Sequence, residues 1–270
     1  MKINCIFVEK IISQFIREEL NKFGFRKGIL GLSGGLDSSV CAFLASKALG
    51  PKNVIALILP YGKTFPQDVE DAKEVVKLLG IRSKIIDISP MVDTYFSLYP
   101  TENKILKGNK MARERMSILY DFSAREKAII LGTSNKTELL LGYGTIHGDM
   151  ACGINPLGDL YKTQIKQLAE HLQVPEKIRN KTPTAGLWPG QTDEGELGLT
   201  YDEIDKILFE LVDLRREKKK IIASGFKREA VNKVLKLIKK SEFKRRLPII
   251  PKISSRTVSH DFLYPYDWEI

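Results

Sequence analysis

Gly31–Ser39 reads GLSGGLDSS and continues the apolar stretch Gly28–Ser33 (GILGLS). A buried strand that runs into paired glycines and then into helix-forming residues is a strand–loop–helix junction. Adjacent glycines let the backbone approach a phosphate closely, and the helix that follows offers free N–H groups and the positive end of a dipole. Ser33, Ser38 and Ser39 add hydroxyl donors. The string lacks the Gly-Lys-Ser/Thr ending of a P-loop, and it is not GxGxxG. Its unusual member is Asp37. A carboxylate beside bound phosphates repels them unless a divalent cation lies between, so Asp37 implies Mg²⁺. A plain turn accounts for a Gly-Gly pair but not for the whole of Ser33–Ser39.

Working outward, Ile11, Ile12, Phe15, Ile16, Leu20 and Phe23 recur at helical spacing before Gly24, which predicts an opening amphipathic helix. Helices are predicted at Asp37–Leu49, at Pro66–Leu79 and across Asn103–Lys127. Strands are predicted at Val54–Leu59 (VIALIL), Lys84–Ile88 (KIIDI) and Ala128–Leu131 (AIIL). Strand and helix alternate throughout, so the expected fold is α/β, a doubly wound parallel sheet. Ligands in such sheets bind outside the carboxyl ends of the strands, where the Ser33 loop and the turn at Thr133 both lie.

Past residue 150 the strand pattern stops. Helices are expected at Asp159–Leu172, Tyr201–Arg216 (opened by the capping box Thr200-x-x-Glu203) and Lys227–Lys240. Between them, Lys181–Gly198 is rich in glycine and proline and is expected to be irregular. The expectation is one domain over 1–270, with an α/β core at 8–175 and an irregular loop, helices and a tail at 176–270. The charge of +10 points to an anionic partner, yet the basic runs at 215–220 and 239–246 lack the aromatics that single-strand binders use, and read as solvated helix faces. No uncharged run approaches a membrane span, Glu9, Lys10 and Arg17 exclude a signal peptide, and three scattered cysteines fit a reducing cytoplasm.

The loop resembles the signature of the N-type ATP pyrophosphatases, whose members adenylate a substrate and release pyrophosphate. Gly108–Tyr120 (GNKMARERMSILY), Leu131–Tyr143 (LGTSNKTELLLGY), Gly148-Asp149, Asn155–Thr163 (NPLGDLYKT) and Pro183–Tyr201 (PTAGLWPGQTDEGELGLTY) follow in order. Together they resemble the NAD synthetase family, which amidates deamido-NAD. That resemblance implies ATP binding by Gly31, Leu32, Ser33, Gly34, Gly35, Leu36, Asp37, Ser38, Thr133, Lys162 and Thr184. It implies Mg²⁺ on Asp37 and Glu138, and deamido-NAD contacts from Arg113, Asp149 and Lys244. Asp37, Lys162 and Asp149 are the expected catalytic set, and a homodimer is implied. Taken singly, Glu138 also reads as a solvent-facing helix residue, Lys162 as a first-turn lysine, Arg113 as half of a helical ion pair and Thr184 as a turn residue. His147, His171 and His260 share no ligand spacing and receive no role.

Three positions depart from the stand-alone, ammonia-using branch: Ile146 replaces Lys, Gly153 replaces Asp, and Phe243 replaces the His of a His-Lys pair. Gly148–Leu157 and Lys244–Arg256 look more like the synthetase domain of the glutamine-using branch. No glutaminase is read in the chain, since residue 2 is Lys rather than a nucleophilic cysteine and little precedes Val8. Free ammonia, or ammonia from a separate subunit, is the expected nitrogen source. Two rivals stand beside this reading. One is another ATP pyrophosphatase-type ligase (tRNA-modifying or GMP synthetase-like), although no catalytic cysteines or RNA-binding module are seen. The other is a nucleotide sensor that binds ATP without turnover.

Overall fold

The structure is a computed structural model that describes residues 1–62, 65–188, 190–245, 248–258 and Asp261. His260 lies outside the described residues. Helix α1 (Cys5–Lys22) leads into strand β1 (Lys27–Gly31), helix α2 (Leu36–Leu49) and strand β2 (Val54–Ile58). Helix α3 (Pro66–Leu79), strand β3 (Arg82–Ile85), helices α4 (Ser89–Leu98) and α5 (Lys104–Glu126) and strand β4 (Ala128–Ile130) complete the alternation. The four strands are parallel in the order β3-β2-β1-β4. The α/β reading therefore holds. The order reverses around β1, so the crevice between the carboxyl ends of β1 and β4 is where a ligand is expected.

Alternation along the strands builds two cores, because successive side chains point to opposite faces. Leu30, Val54, Ala56 and Ile58 pack toward α1 and α2 with Ile16, Leu20, Val40 and Leu44. Ile29, Ile55, Leu57 and Leu59 pack toward α4 and α5 with Val92, Met111 and Leu119. Strand β2 is buried along its whole length, as its unbroken apolar sequence requires. β3 is one edge, and its side chains are exposed. The expected strand over 84–88 is displaced, although its bonding continues through Ile86 N–H to Ile58 O (2.9 Å) and Ile88 N–H to Pro60 O (2.9 Å). Arg82 and Lys84 on that edge oppose pairing with another chain.

After β4 come α6 (Lys136–Leu141), α7 (Lys162–His171), α8 (Glu176–Arg179), α9 (Asp193–Leu197) and α10 (Tyr201–Leu208). A π-turn at Phe209–Asp213, then α11 (Lys218–Ala223) and α12 (Arg228–Lys240), follow. The segment expected to be irregular thus contains α9, whose N-cap Thr192 accepts the Gly195 N–H. The helix expected over 201–216 widens instead into the π-turn. That turn carries Asp213 to the Tyr161 hydroxyl and to Lys136 (2.9 Å). Leu141, Tyr161, Tyr201, Ile207, Val231 and Val234 form a third core under these last helices. Among the described residues, no helix is long and apolar enough to cross a membrane.

Candidate functional site

A cavity of about 830 Å³ opens at the carboxyl ends of β1, β2 and β4. The glycine loop forms its floor. Gly34 has φ +78, and its Cα faces α3 so closely that a Cβ there would stand 2.1 Å from the Asp68 carbonyl oxygen. Only glycine satisfies both demands. Gly35 is the N-cap of α2 and makes no side-chain cap bond, while the loop is tied internally by Ser38 Oγ to Gly35 O (3.1 Å) and Ser39 Oγ to Gly35 O (2.8 Å). The uncapped helix start faces the cavity, which suits an anion.

Lys162, the first residue of α7, is buried and reaches across to this loop. Its Nζ lies 2.5 Å from Asp37 Oδ2 and 3.6 Å from Glu138 Oε1. Burial alone lowers a lysine pKa, but attraction from Asp37 and Glu138 outweighs it and raises this one. Glu138 moves upward for the converse reason, because burial and the neighbouring Asp37 outweigh Lys162. Asn135 organises the acidic side. It caps α6 in a capping box with Glu138, and its Nδ2 donates to Asp37 Oδ1 (3.0 Å). The anchor beneath is Asp205 of α10, which accepts Thr137 Oγ1 (2.5 Å) from α6 and the Thr163 N–H (2.8 Å) from α7. The two helices bearing Glu138 and Lys162 are thereby held by one buried carboxylate.

Among the described residues, no cluster of three or more His, Cys, Asp or Glu side chains stands ready for a metal. The starts of α2 and α6 instead present two hard oxygen donors, Asp37 and Glu138, with Asp193 as a third carboxylate acting on the same ammonium. Mg²⁺ usually takes one or two protein carboxylates and fills its sphere from phosphates and water, so this donor set fits it.

Other expected residues fall into place unequally. Thr133, Asp149, Thr184 and Lys244 line the cavity. Thr184 Oγ1 accepts the Gly186 N–H (3.1 Å) and shapes the turn there. Asp149 accepts the Thr145 N–H (2.8 Å). Its carboxylate opens onto the cavity, yet the surrounding protein raises its pKa against that bond and against Lys244. Lys244 donates to Gly142 O (2.8 Å) and Gly144 O (2.7 Å). Arg113 does not join them. It is exposed and bonds to Ile146 O (3.1 Å) outside the cavity lining. The departures also gain physical reasons. A Cβ on Gly153 would lie 2.8 Å from Ile129 Cγ2, so an aspartate has no room, and Phe243 is half exposed beside Lys244.

Three further residues were missed in the sequence. Asp193 accepts Tyr143 OH (3.0 Å) and Tyr201 OH (3.0 Å) within reach of Lys162. Arg115 lines the cavity and donates to Leu59 O (2.9 Å), and burial lowers its pKa to about 10. Lys181 contacts Asp68, Asp71 and the loop itself. The capping-box spacing of Asn135 and Glu138 was a readable signal, whereas no local pattern marks Lys181 or Asp193.

A parallel sheet with a glycine loop, an uncapped helix start and a lysine gripped by two carboxylates defines an α/β protein built to hold a polyphosphate. The NAD synthase family model matches residues 8–248, and the chain belongs to that family. The NH₃-dependent NAD⁺ synthetase of Trichlorobacter lovleyi is 48% identical over 268 residues, covering 99% of this chain and 98% of that protein. Among solved structures, an NH₃-dependent NAD synthetase from Campylobacter jejuni is 33% identical with a TM-score of 0.80, covering 93% of this chain and 100% of that one. An NMN synthetase from Francisella tularensis is 34% identical with a TM-score of 0.83 at the same coverage.

Proposed function

We propose that the chain makes NAD by ATP-dependent amidation of deamido-NAD with ammonia, acting as a ligase that forms a C–N bond. The observation that carries this reading is the grip of Lys162 on Asp37 and Glu138 at the mouth of the glycine loop. In this reading Gly31–Ser38, Thr133, Lys162 and Thr184 hold ATP, while Asp149, Lys244 and, from the rim, Arg113 hold deamido-NAD. The nicotinate carboxylate attacks the α-phosphorus and the bond to pyrophosphate breaks. Lys162 and the N–H groups at the start of α2 offset the charge on the departing phosphates. Asp37 and Glu138 would hold Mg²⁺, which would add to the neutralisation of phosphate charge. Ammonia then attacks the acyl carbon, a proton is lost, and AMP departs with its electron pair. No side chain need act as a nucleophile, so positioning and charge stabilisation carry the rate.

Pyrophosphate release tests this directly. With ATP, Mg²⁺ and ammonium, release is expected to depend on deamido-NAD. Absence of that dependence in folded protein overturns the reading. Nicotinate mononucleotide belongs in the same assay because of the likeness to the Francisella protein. The relatives sharing close to half of the sequence are named for NAD, so deamido-NAD is expected to give the higher kcat/KM. Ammonium is expected to serve as nitrogen source and glutamine to fail with the chain alone.

A homodimer is part of this reading. Leu98, Tyr99, Ile105 and Leu106 are 70%, 65%, 64% and 53% exposed where α4 meets α5, and Ile105 also lines the cavity. A second copy covering this patch would bury apolar surface and complete that wall. Leu98→Asp together with Ile105→Asp is expected to give a monomer in sedimentation velocity, and an unchanged dimer would refute this face. The reading keeps the nucleotide core at 8–175 within one unit and places the protein in the cytoplasm.

A further inference from the structure

Lys181 begins the segment that ends at α9, far in sequence from the glycine loop, yet its Nζ lies 3.3 Å from Gly34 O. The same ammonium meets Asp68 Oδ1 (2.6 Å) and Asp71 Oδ2 (2.8 Å) on α3. Asp71 is buried, and its other oxygen is taken by Lys177 (2.9 Å) and Gln67 Nε2 (2.8 Å). Lys181 is therefore fixed from behind by a rigid acidic pair and has one donor left for the loop. Gly34 itself is pressed against the Asp68 carbonyl, so loop and α3 already touch at this point.

The carbonyl of Gly34 and the N–H of Gly35 belong to one peptide unit. In a planar trans peptide they point in opposite directions. Holding Gly34 O toward α3 therefore turns the Gly35 N–H away from α3, where it meets Ser33 Oγ (3.2 Å) on the cavity side. Gly35 is the N-cap of α2, so this peptide plane sets the entry to the uncapped helix start. A glycine pair brings no side chains of its own to stop the plane from flipping, so it is held at its two ends, by Lys181 on the carbonyl and Ser33 Oγ on the N–H.

We infer that Lys181 is a positioning residue for ATP: it clamps the Gly34–Gly35 peptide plane so that the loop presents its N–H groups to the nucleotide's phosphates. The inference rests on the ATP reading of the loop, and goes beyond it by assigning the loop's orientation to a side chain outside it. A structural ion pair alone would stabilise the fold without distinguishing the two substrates. A clamp on the phosphate loop affects ATP and pyrophosphate and spares the dinucleotide.

Equilibrium binding of Mg-ATP and of pyrophosphate, measured by calorimetry, separates these outcomes. Lys181→Met is expected to weaken both by about tenfold, the effect of losing one hydrogen bond from a charged donor. The KM for deamido-NAD is expected to stay unchanged, and Lys181→Arg to recover most of the loss. Asp71→Asn, which removes one of the two carboxylates that anchor Lys181, is expected to show the same pattern more weakly, and it serves if Lys181→Met does not fold. Wild-type binding of both ligands by the variants would overturn the inference while leaving the ATP reading intact, as would equal losses for ATP and deamido-NAD. Failure of a folded Lys181→Arg protein to recover binding would also overturn the clamp. If the wild-type protein binds no Mg-ATP, the ATP reading fails first.

Discussion

Lys162→Met is expected to lower deamido-NAD-dependent pyrophosphate release by about 10²–10³-fold, the range seen when one preorganised donor to developing charge is removed. The ammonium sits 2.5 Å from Asp37 and 3.6 Å from Glu138, so methionine removes the only cation in that trio while keeping the length of the stem. Two carboxylates would then face each other in a buried site. Glu138, whose pKa burial and the neighbouring Asp37 already push upward, would lose the attraction that opposes that shift. Stability should fall as well, by about 3–5 kcal/mol if the pair behaves as buried pairs usually do when one partner is lost. Circular dichroism and urea unfolding on the same preparation keep the two effects apart. Lys162→Arg is not a gentle alternative. The planar guanidinium needs more room than the niche beside the Tyr201 ring, 5.2 Å from Nζ, leaves for an ammonium. A folded Lys162→Met protein with pyrophosphate release near the wild-type rate would remove this lysine from the chemistry.

Gly34→Ala is the second large effect. Two penalties coincide there: a φ of +78 and a methyl placed 2.1 Å from the Asp68 carbonyl oxygen. The first costs about 1–2 kcal/mol for any L side chain. The second cannot be relieved by a side-chain rotation, because the obstacle is backbone, so either α3 or the loop must shift. ATP affinity is expected to drop by more than about tenfold through loss of loop hydrogen bonds. Gly24→Ala supplies the control. Its φ is +73, but nothing lies within 4 Å of the added methyl, so it carries the conformational cost without the collision. It is expected to lower stability by about 1–2 kcal/mol and leave ATP binding alone. Equal ATP affinities for the two variants would show that the contact with α3 does not matter to the loop.

Much of the frame was legible because it rests on local rules. VIALIL could only be a strand covered on both faces, and it is β2. Pro66 and Gly80 mark the two ends of α3 where the structure has them. Helix α4 escaped notice because SPMVDTYFSL buries only Val92, too little for a periodic signal, although Pro90 sits in its first turn as Pro66 does in α3. α9 was hidden in a glycine-rich stretch whose order comes from Tyr143 and Tyr201 gripping Asp193, and Tyr143 lies fifty residues away in sequence. At the site, the loop and the Asn135–Glu138 spacing could be read, since both are properties of a few neighbouring residues. Arg113 matched its family motif, yet it lies outside the cavity lining and bonds to Ile146. Lys181 could not be found by pattern, because its partners lie more than a hundred residues earlier.

Asp205 gives the site an order of assembly. The glycine loop, β2, β4 and the Asn135 turn can all be in place on a growing chain that has not yet reached α10. Glu138 and Lys162 sit on helices that meet through Thr137 and the Thr163 N–H on this one later carboxylate. Domains generally fold as units, and contacts distant in sequence come at the greatest entropic cost. Thr137 Oγ1 also accepts the Lys162 N–H directly (3.0 Å), so the two helices are already joined before α10, and Asp205 secures that joint from beneath. The anchor beneath the lysine grip is therefore supplied by the last third of the chain.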